Sequence, residues 1–144
     1  MIKIKRFDEL TTRELYEILR QRAEVFMLGL GMRCRDLDRE DYRALHCFIE
    51  NEGGEIAAYM RVLNGGDGSI MLGRVLAVPR GAGLGRRLVY ECLPELKRIL
   101  KADTATVHAQ LQAEGFYRAL GFIPEGEPFL EAGVMHVFMK RGID

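Results

Sequence analysis

The chain has 144 residues, 48% of them hydrophobic and 29% charged, which is an ordinary composition for one globular domain spanning residues 1–144. Its 21 lysines and arginines balance 21 aspartates and glutamates, so the overall charge gives no reason to expect a nucleic-acid partner. Three cysteines without zinc-ligand spacing, no apolar run of transmembrane length and no signal-peptide core predict a cytoplasmic protein with reduced thiols, no metal ion and no membrane partner.

Hydrophobic periodicity in the N-terminal half predicts a strand, a helix and a hairpin, in that order. The helix has a capping-box pattern at its start, Thr11 followed by Glu14, and Gly29 marks its expected end. The acidic segment 32–44 is predicted to be a solvated loop leading into a short helix, because it lacks the glycine and the terminal glutamate of a calcium-binding loop. The strands of this half are expected at residues 2–7, 46–50 and 55–63.

The middle of the chain is predicted to be a strand, a glycine-rich loop and a helix. Residues 70–78 are largely apolar and β-branched, which indicates a strand buried on both faces, and Pro79 ends it. Apolar residues at helical spacing follow the loop, and Pro94 is expected to kink or end that helix. Free amides in the first helical turn, together with glycines and arginines, suit a phosphate or pyrophosphate. The segment is Arg80-Gly81-Ala82-Gly83-Leu84-Gly85-Arg86-Arg87.

Four interpretations of this loop can be compared. A Walker A loop needs lysine and then serine or threonine after its last glycine, where this chain has Arg86 and Arg87. A Rossmann fingerprint needs its third glycine at position 86, and its ribose-binding acid would end the next strand, whereas Asp103 begins it. The segment from Arg80 to Gly85 resembles, at every position, the acyl-CoA loop of the GNAT acetyltransferases, Gln/Arg-x-x-Gly-x-Gly/Ala. The fourth interpretation is a helix entry that is merely glycine-rich.

The C-terminal part is predicted to be a strand, a short helix and a hairpin. The strand at 104–109 follows a right-handed crossover and is therefore expected to be parallel to the strand at 70–78. The short helix carries Phe116, Tyr117 and Leu120 on one face and stops at Gly121. The hairpin strands are expected at 122–130 and 134–140, around Ala132-Gly133.

Two of the three histidines, His136 and His46, are candidates for a base. In the predicted hairpin register, Glu131 pairs with Val134 and Phe129 with His136, which places Glu131 and His136 on one face as diagonal neighbours. The carboxylate would orient the imidazole, either for a base or to fix the hairpin. His46 is a possible base or a buried histidine with satisfied hydrogen bonds, and His108 is predicted to be structural.

A second motif narrows the resemblance. Phe116-Tyr117-Arg118-Ala119-Leu120-Gly121-Phe122 resembles the GNAT pattern Phe-Tyr-x-x-x-Gly-Phe. Over nearly its full length the chain is similar to the ElaA-type branch of that family. It departs from the branch at Gly29-Leu30, where Glu-Gln is usual, near Cys34, where a tyrosine is usual, and in the short spacer between Pro79 and Arg80. The further segments that carry the similarity are Leu19-Arg20-x-x-x-x-Val25-Phe26, Asp36-x-Asp38-x-x-Asp41 followed by His46, Ala109-Gln110, and Glu131-x-Gly133-x-x-His136-x-x-Met139.

The resemblance implies an α/β fold of the GNAT acyl-CoA N-acyltransferase type, an α+β mixed sheet of about seven mostly antiparallel strands with a central parallel pair, flanked by helices. It implies acetyl transfer from acetyl-CoA, as co-substrate, to a primary amine on a small molecule or peptide. Tyr117 would protonate the CoA thiolate, and His136 with Glu131 are catalytic candidates. The cofactor-binding set would be Leu76, Ala77, Val78, Arg80, Gly81, Ala82, Gly83, Leu84, Gly85, Arg86, Arg87, Phe116 and Tyr117.

Several questions stay open at the level of sequence. A strand amide near Leu76 or Val78 is expected to hold the oxyanion of the tetrahedral intermediate. Phe116 is expected to pack in the core beside the cofactor. The alternatives to an enzyme are a non-catalytic acyl-CoA-binding or sensor module of the same fold and a nucleotide-binding regulatory domain. The sequence does not identify the amine or the base, and it does not show whether the protein forms a homodimer.

Overall fold

Eight segments of the chain form strands, and the computed structural model, which describes residues 1–144, joins them into one sheet. The strands are β1 (Ile2–Arg6), β2 (Leu45–Glu50), β3 (Ile56–Asn64), β4 (Ser69–Ala77), β5 (Thr104–Gln110), β6 (Ile123–Pro124), β7 (Phe129–Glu131) and β8 (Val134–Gly142). The helices are α1 (Thr12–Arg22), α2 (Leu84–Leu100) and α3 (Glu114–Ala119).

The spatial order of the strands is β1-β2-β3-β4-β5-β8-β6, and β7 also pairs with β8. Every pair is antiparallel except β4 with β5, so the predicted mixed sheet with a central parallel pair is confirmed. The sheet has eight strands, not about seven, because the predicted strand 122–130 is interrupted and forms the separate strands β6 and β7. Gly126, in the interruption, has a φ of 81°.

Helix α1 covers one face of the sheet at β2 and β3. Thr11 caps it as predicted: the Thr11 hydroxyl accepts from the Glu14 amide and the Glu14 carboxylate accepts from the Thr11 amide. The helix continues as a π-helical segment, Ala23–Gly29, which confirms the expected end near Gly29. Glu14 also binds Lys3 and Lys5 of β1, and these contacts fix the start of the helix against the edge of the sheet.

Helix α2 covers the opposite face, where a cluster of 23 buried residues forms the main core. Pro94 does not end this helix, which runs on to Leu100, so that part of the expectation is wrong. The carbonyl that loses its partner belongs to Tyr90, and the Tyr90 side chain is 68% exposed, so water can reach this side of the helix. No helix of the protein combines the length and the apolar character needed to cross a membrane.

Two local predictions fail because of tertiary contacts. Strand β4 is not buried on both faces: Ile70 and Leu72 face the core, but Met71 is 36% exposed because this part of the other face has no helix over it. The acidic segment 32–44 is not simply solvated, because Asp36, Asp38 and Asp41 all form salt bridges with arginines from other elements. Its short helix is observed as a 3-10 turn at Glu40–Tyr42.

Candidate active site

The parallel strands β4 and β5 separate halfway along their length. They pair from Ser69 with Thr104 as far as Leu72 with Val107, and the rest of β4 has no partner on that side. On the other side of β4, the register with β3 shifts by one residue between Tyr59–Leu76 and Arg61–Gly73. This shift is a β-bulge at Arg74 and Val75, where Arg74 has a φ of 52°, and a bulge bends and twists its strand. The separation opens a cleft of about 1030 Å³.

The glycine-rich loop closes one end of this cleft. Gly81 and Gly83 have φ values of 80° and 79°, a left-handed conformation that glycine adopts without steric cost. A Cβ atom added to either glycine would meet no atom within 4 Å, so the space above the loop is free. Gly83 is the N-cap of α2, no side chain caps that end, and the first helical bond runs from the Arg87 amide to the Gly83 carbonyl. The preceding amides of the first turn therefore remain free for an anion.

The three arginines of the loop are not equivalent. Arg87 pairs with Glu91 at 2.9 Å along the surface of α2, and it does not line the cleft. Arg80 and Arg86 line the cleft and have no carboxylate within salt-bridge distance. Among the predicted cofactor-binding residues, only Ala82 and Arg87 lie outside the cleft wall. The free positive charge at this end therefore comes from Arg80, Arg86 and the N-terminus of α2.

The hydrogen-bonding pattern shows which amides of β4 point towards β3 and which point towards the cleft on the β5 side. The Val78 amide donates to the Ala57 carbonyl at 2.8 Å, so Val78 itself is not free to hold an oxyanion. Leu76 lies two residues earlier, opposite Tyr59, and its amide faces the same β3 side. The Ala77 amide therefore faces the opposite edge, where β4 has no partner. It is the amide aimed at the cleft.

Tyr117 reaches the cleft from the core side of the sheet. Its ring lies edge-on to Phe116 and Phe122, with centroid distances of 5.0 and 5.7 Å, and only 6% of the residue is exposed. Burial raises the pKa of its hydroxyl, so the phenol is fully protonated at neutral pH. Phe116 packs against the main core, as expected, and its ring lies 3.5 Å from the Cβ that Gly85 lacks. A Cβ at position 85 would therefore lie at ordinary van der Waals distance from the Phe116 ring.

On the face of the sheet opposite Tyr117, the predicted register of the β7–β8 hairpin is confirmed, but the nearest histidine to Glu131 is not His136. Glu131 pairs with Val134 and Phe129 with His136, as expected. The His136 Nε2 nevertheless lies 3.9 Å from Glu131 Oε2, and its Nδ1 donates to the Val134 carbonyl at 2.8 Å. Glu131 Oε1 instead lies 2.9 Å from Nδ1 of His108. His108, which the sequence predicts to be structural, thus lies in the cleft as the direct partner of Glu131.

His46 lies outside the cleft and is fully buried. Its Nδ1 lies 2.7 Å from the Tyr59 hydroxyl and its Nε2 lies 3.0 Å from the Asp41 carbonyl. Burial lowers the pKa of His46, so the imidazole is neutral at pH 7. Of the two interpretations of His46, the structure supports the buried histidine with both nitrogens satisfied.

A network of arginines and aspartates supports the bulge of β4. Arg74 binds Asp36 at 2.9 Å, and Arg61 binds Asp38 at 2.7 Å. Arg22, which is fully buried, also binds Asp36 and donates to Asp41 at 2.7 Å. These contacts hold the connection after α1 against β3 and β4, and they leave no uncompensated cation in that part of the cleft. The sequence alone does not reveal the network, because the paired residues are 14 to 38 positions apart.

The connection after α1 also meets the β7–β8 turn. The Arg33 amide donates to the Ala132 carbonyl at 3.0 Å, and Met32 lies next to Gln110, with 3.5 Å between Sδ and Nε2. The cleft is therefore bridged on the His108 side of the sheet. No group of three or more histidine, cysteine, aspartate or glutamate side chains is arranged to hold a metal ion.

Comparisons with known proteins agree with this architecture. Residues 35–142 match the family described as "Acetyltransferase (GNAT) domain". A UPF0039 protein of Schizosaccharomyces pombe is 30% identical over 139 residues, covering 94% of this chain and 93% of that protein. The crystal structure of an acyl-CoA N-acyltransferase from Pseudomonas aeruginosa gives a TM-score of 0.88 at 28% identity, covering 98% and 99% of the two chains. That of Escherichia coli ElaA gives 0.89 at 26% identity, with the same coverage.

Proposed function

Since this chain belongs to the GNAT acetyltransferases, in the branch that includes ElaA, we propose that it transfers an acetyl group from acetyl-CoA to a primary amine. Membership in the family supports acyl transfer, and the acceptor is proposed to be an amine on a small molecule or peptide. The two ends of the cleft differ in charge, which suits two different substrates. The loop end carries free cations, whereas the opposite end carries the carboxylate of Glu131.

The loop end is proposed to bind the pyrophosphate of CoA. Free amides at the start of α2, the positive end of its dipole, and the cations of Arg80 and Arg86 would all stabilise phosphate charge there. The pantetheine arm would then lie along the unpaired edge of β4, whose amides and carbonyls can pair with it as with an added strand. The 1030 Å³ of the cleft is enough space for a ligand of this size.

The chemical step is proposed to use one backbone amide and one side chain. The Ala77 amide would stabilise the oxyanion of the tetrahedral intermediate, because it faces the open edge of β4. Tyr117 would donate a proton to the departing sulfur, since its hydroxyl is protonated, borders the cleft and takes no partner from the chain. Phe116 would pack beside the cofactor.

One observation carries this proposal: β4 and β5 separate next to the glycine loop, so an unpaired strand edge and an anion site lie in one cleft. The test is turnover of acetyl-CoA with a panel of small amines and lysine-containing peptides, measured as released thiol and as acetylated product by mass spectrometry. Amine-dependent release of thiol with matching product supports the enzyme. Binding of acetyl-CoA without any acetylated product would instead identify a non-catalytic acyl-CoA sensor, and binding of nucleotides in place of CoA would contradict both.

A further inference from the structure

The pair formed by His108 and Glu131 has the geometry of an oriented base. The Glu131 carboxylate lies 2.9 Å from Nδ1 of His108 and so favours the tautomer that carries its hydrogen on Nδ1. Nε2 of His108 makes no hydrogen bond within the chain and is left with its lone pair. The imidazole is also fixed by two aromatic rings, Phe129 at 5.3 Å and Phe138 at 5.8 Å between centroids.

His108 stands where the two parallel strands separate. Val107 is the last residue of β5 that pairs with β4, and its side chain points into the main core. Because strand side chains alternate, His108 points to the opposite face of the sheet, at the point where the gap begins. Tyr117 belongs to the main core cluster and so approaches the same gap from the other face. An acetyl group held in the gap would therefore have the phenol on one side and the imidazole on the other.

His136 is less suited to the same role. It is 2% exposed, its Nδ1 is bound to the Val134 carbonyl, and Phe129 stacks on it at 6.0 Å. The side chain of His108 is 32% exposed and can be reached from solvent. The two histidines therefore share Glu131 as a neighbour, but only His108 combines a hydrogen bond to the carboxylate with an accessible free nitrogen.

Charge at this end of the cleft favours a cationic acceptor. Arg61 and Arg74 line the wall, but each is paired with aspartates of the network. The carboxylate of Glu131 lies at this end, Glu24 also lines the cleft, and neither carboxylate forms a salt bridge with a lysine or arginine. A primary alkylammonium ion would find uncompensated negative charge there. Such an amine, with a pKa of about 10.4, is only about one part in a thousand neutral at pH 7, so it needs a base.

We propose that His108 is the catalytic base for a primary alkylammonium acceptor, and that Glu131 is the positioning residue that orients it; this rests on the proposed function. Nε2 of His108 takes one proton from the ammonium, and the freed lone pair forms the C–N bond with the thioester carbonyl carbon. The C–S bond then breaks, and its electron pair leaves on sulfur. Sulfur receives a proton from Tyr117, and the second proton lost by nitrogen restores the phenol. His108 releases the first proton to solvent, so one proton leaves per acetyl group.

Several ionisable side chains lie near His108 and could also contribute to a pH profile of activity. Glu131 on β7 and His136 on β8 face it directly or through Phe129. Strand β4 presents Met71 and Gly73 at this point, and neither titrates, while Arg61 behind Gly73 is held by Asp38 and Asp41. The far wall carries Glu24, Cys34 and Asp36. Two histidines are therefore the groups that must be separated by mutation.

The test is the pH profile of kcat/KM for a lysine-like amine in His108→Gln, His136→Gln and Glu131→Gln. His108→Gln should lose the acid limb of the profile and lower kcat/KM about 10²-fold or more at pH 7. The loss should shrink as the pH rises, and also for a weakly basic amine that is already neutral. Glu131→Gln should lower activity less and displace the limb, whereas Glu125→Gln, a carboxylate paired with Lys140 outside the cleft, is the matched control.

Each outcome decides the proposal. Unchanged acetyl-CoA binding and melting temperature in His108→Gln would exclude misfolding as the cause of lost activity. If His136→Gln removes the acid limb and His108→Gln keeps it, His136 is the base and the inference is wrong, although the proposed function stands. If the wild type acetylates no amine at all, the proposed function fails and the inference fails with it.

Discussion

Replacing Gly83 with alanine should separate the cost of backbone strain from the loss of ligand binding. Gly83 has a φ of 79° and its missing Cβ would meet nothing within 4 Å, so the left-handed conformation is the only cost in the free protein. That cost is about 1 kcal/mol. Unfolding entropy is about 2.1 cal/mol/K per residue, or about 0.3 kcal/mol/K for 144 residues, so the melting temperature should fall by about 3 °C.

Ligand binding should suffer more, because the added methyl group occupies the space through which a phosphate would approach the free amides. At a CoA concentration of about 100 times Kd, binding stabilises the wild type by about 2.7 kcal/mol, which corresponds to a shift of about 9 °C. A tenfold weaker Kd at the same concentration leaves about 1.4 kcal/mol, or about 5 °C. Thermal unfolding with and without CoA measures both quantities in one assay.

Gly66→Ala provides a matched control for this experiment. Gly66 also has a φ of 79° and an open Cβ position, but it lies in the turn between β3 and β4, outside the cleft. Both variants should lose about the same melting temperature in the absence of ligand, because the strain is the same. Only Gly83→Ala should lose part of the shift caused by CoA. Equal shifts in both variants would refute the assignment of the loop as the phosphate site.

Three further predictions test the site and the fold. Tyr117→Phe should lower kcat about 10²-fold or more with little change in KM for acetyl-CoA, and an unchanged kcat would make Tyr117 a packing residue only. Arg80→Ala and Arg86→Ala should weaken CoA binding more than dephospho-CoA binding if either arginine reaches the 3′-phosphate. Equal losses of affinity for the two ligands, measured by calorimetry, would mean that these arginines contact only the pyrophosphate. Burial raises the pKa of Glu14, but hydrogen bonds from Lys5, Thr11 and Lys3 outweigh it and lower this pKa to about 2. The folded-state pKa is thus below the unfolded value of 4.5, so the stabilisation by Glu14 is complete above pH 5 and is lost as the pH falls towards 2. Urea unfolding at pH 7, 4 and 3 should therefore show that the free energy of unfolding falls less with pH in Glu14→Gln than in the wild type.

Local sequence signals predicted the parts of the site that depend on neighbouring residues. The capping box at Thr11, the strand–loop–helix around Gly83 and the hairpin register at Glu131 all follow from short-range backbone chemistry, and all three are observed. The parallel arrangement of β4 and β5 followed from the handedness of the crossover between them.

Other features depend on contacts between distant residues and could not be predicted in this way. The β-bulge adds one residue to β4, and the observed ladder assigns alternate amides to opposite edges of the strand, which is why the Ala77 amide, and not that of Val78, faces the cleft. His108 is 23 residues from Glu131, and only the pairing of β8 with both β5 and β7 brings them together. The burial of Asp36 likewise depends on arginines from α1 and β4.

The two outer strands of the sheet explain why its interior gap is the place where an extended ligand would add. One edge of the sheet, β1, carries Lys3 and Lys5, and the opposite edge is made of β6 and β7, which are only two and three residues long; β6 also contains Pro124. Charged, short and proline-containing outer strands discourage pairing with another chain. The unpaired end of β4 lies instead in the interior of the sheet, between β3 and β5. An extended arm such as pantetheine can therefore complete the sheet from inside, without exposing the protein to strand-by-strand aggregation.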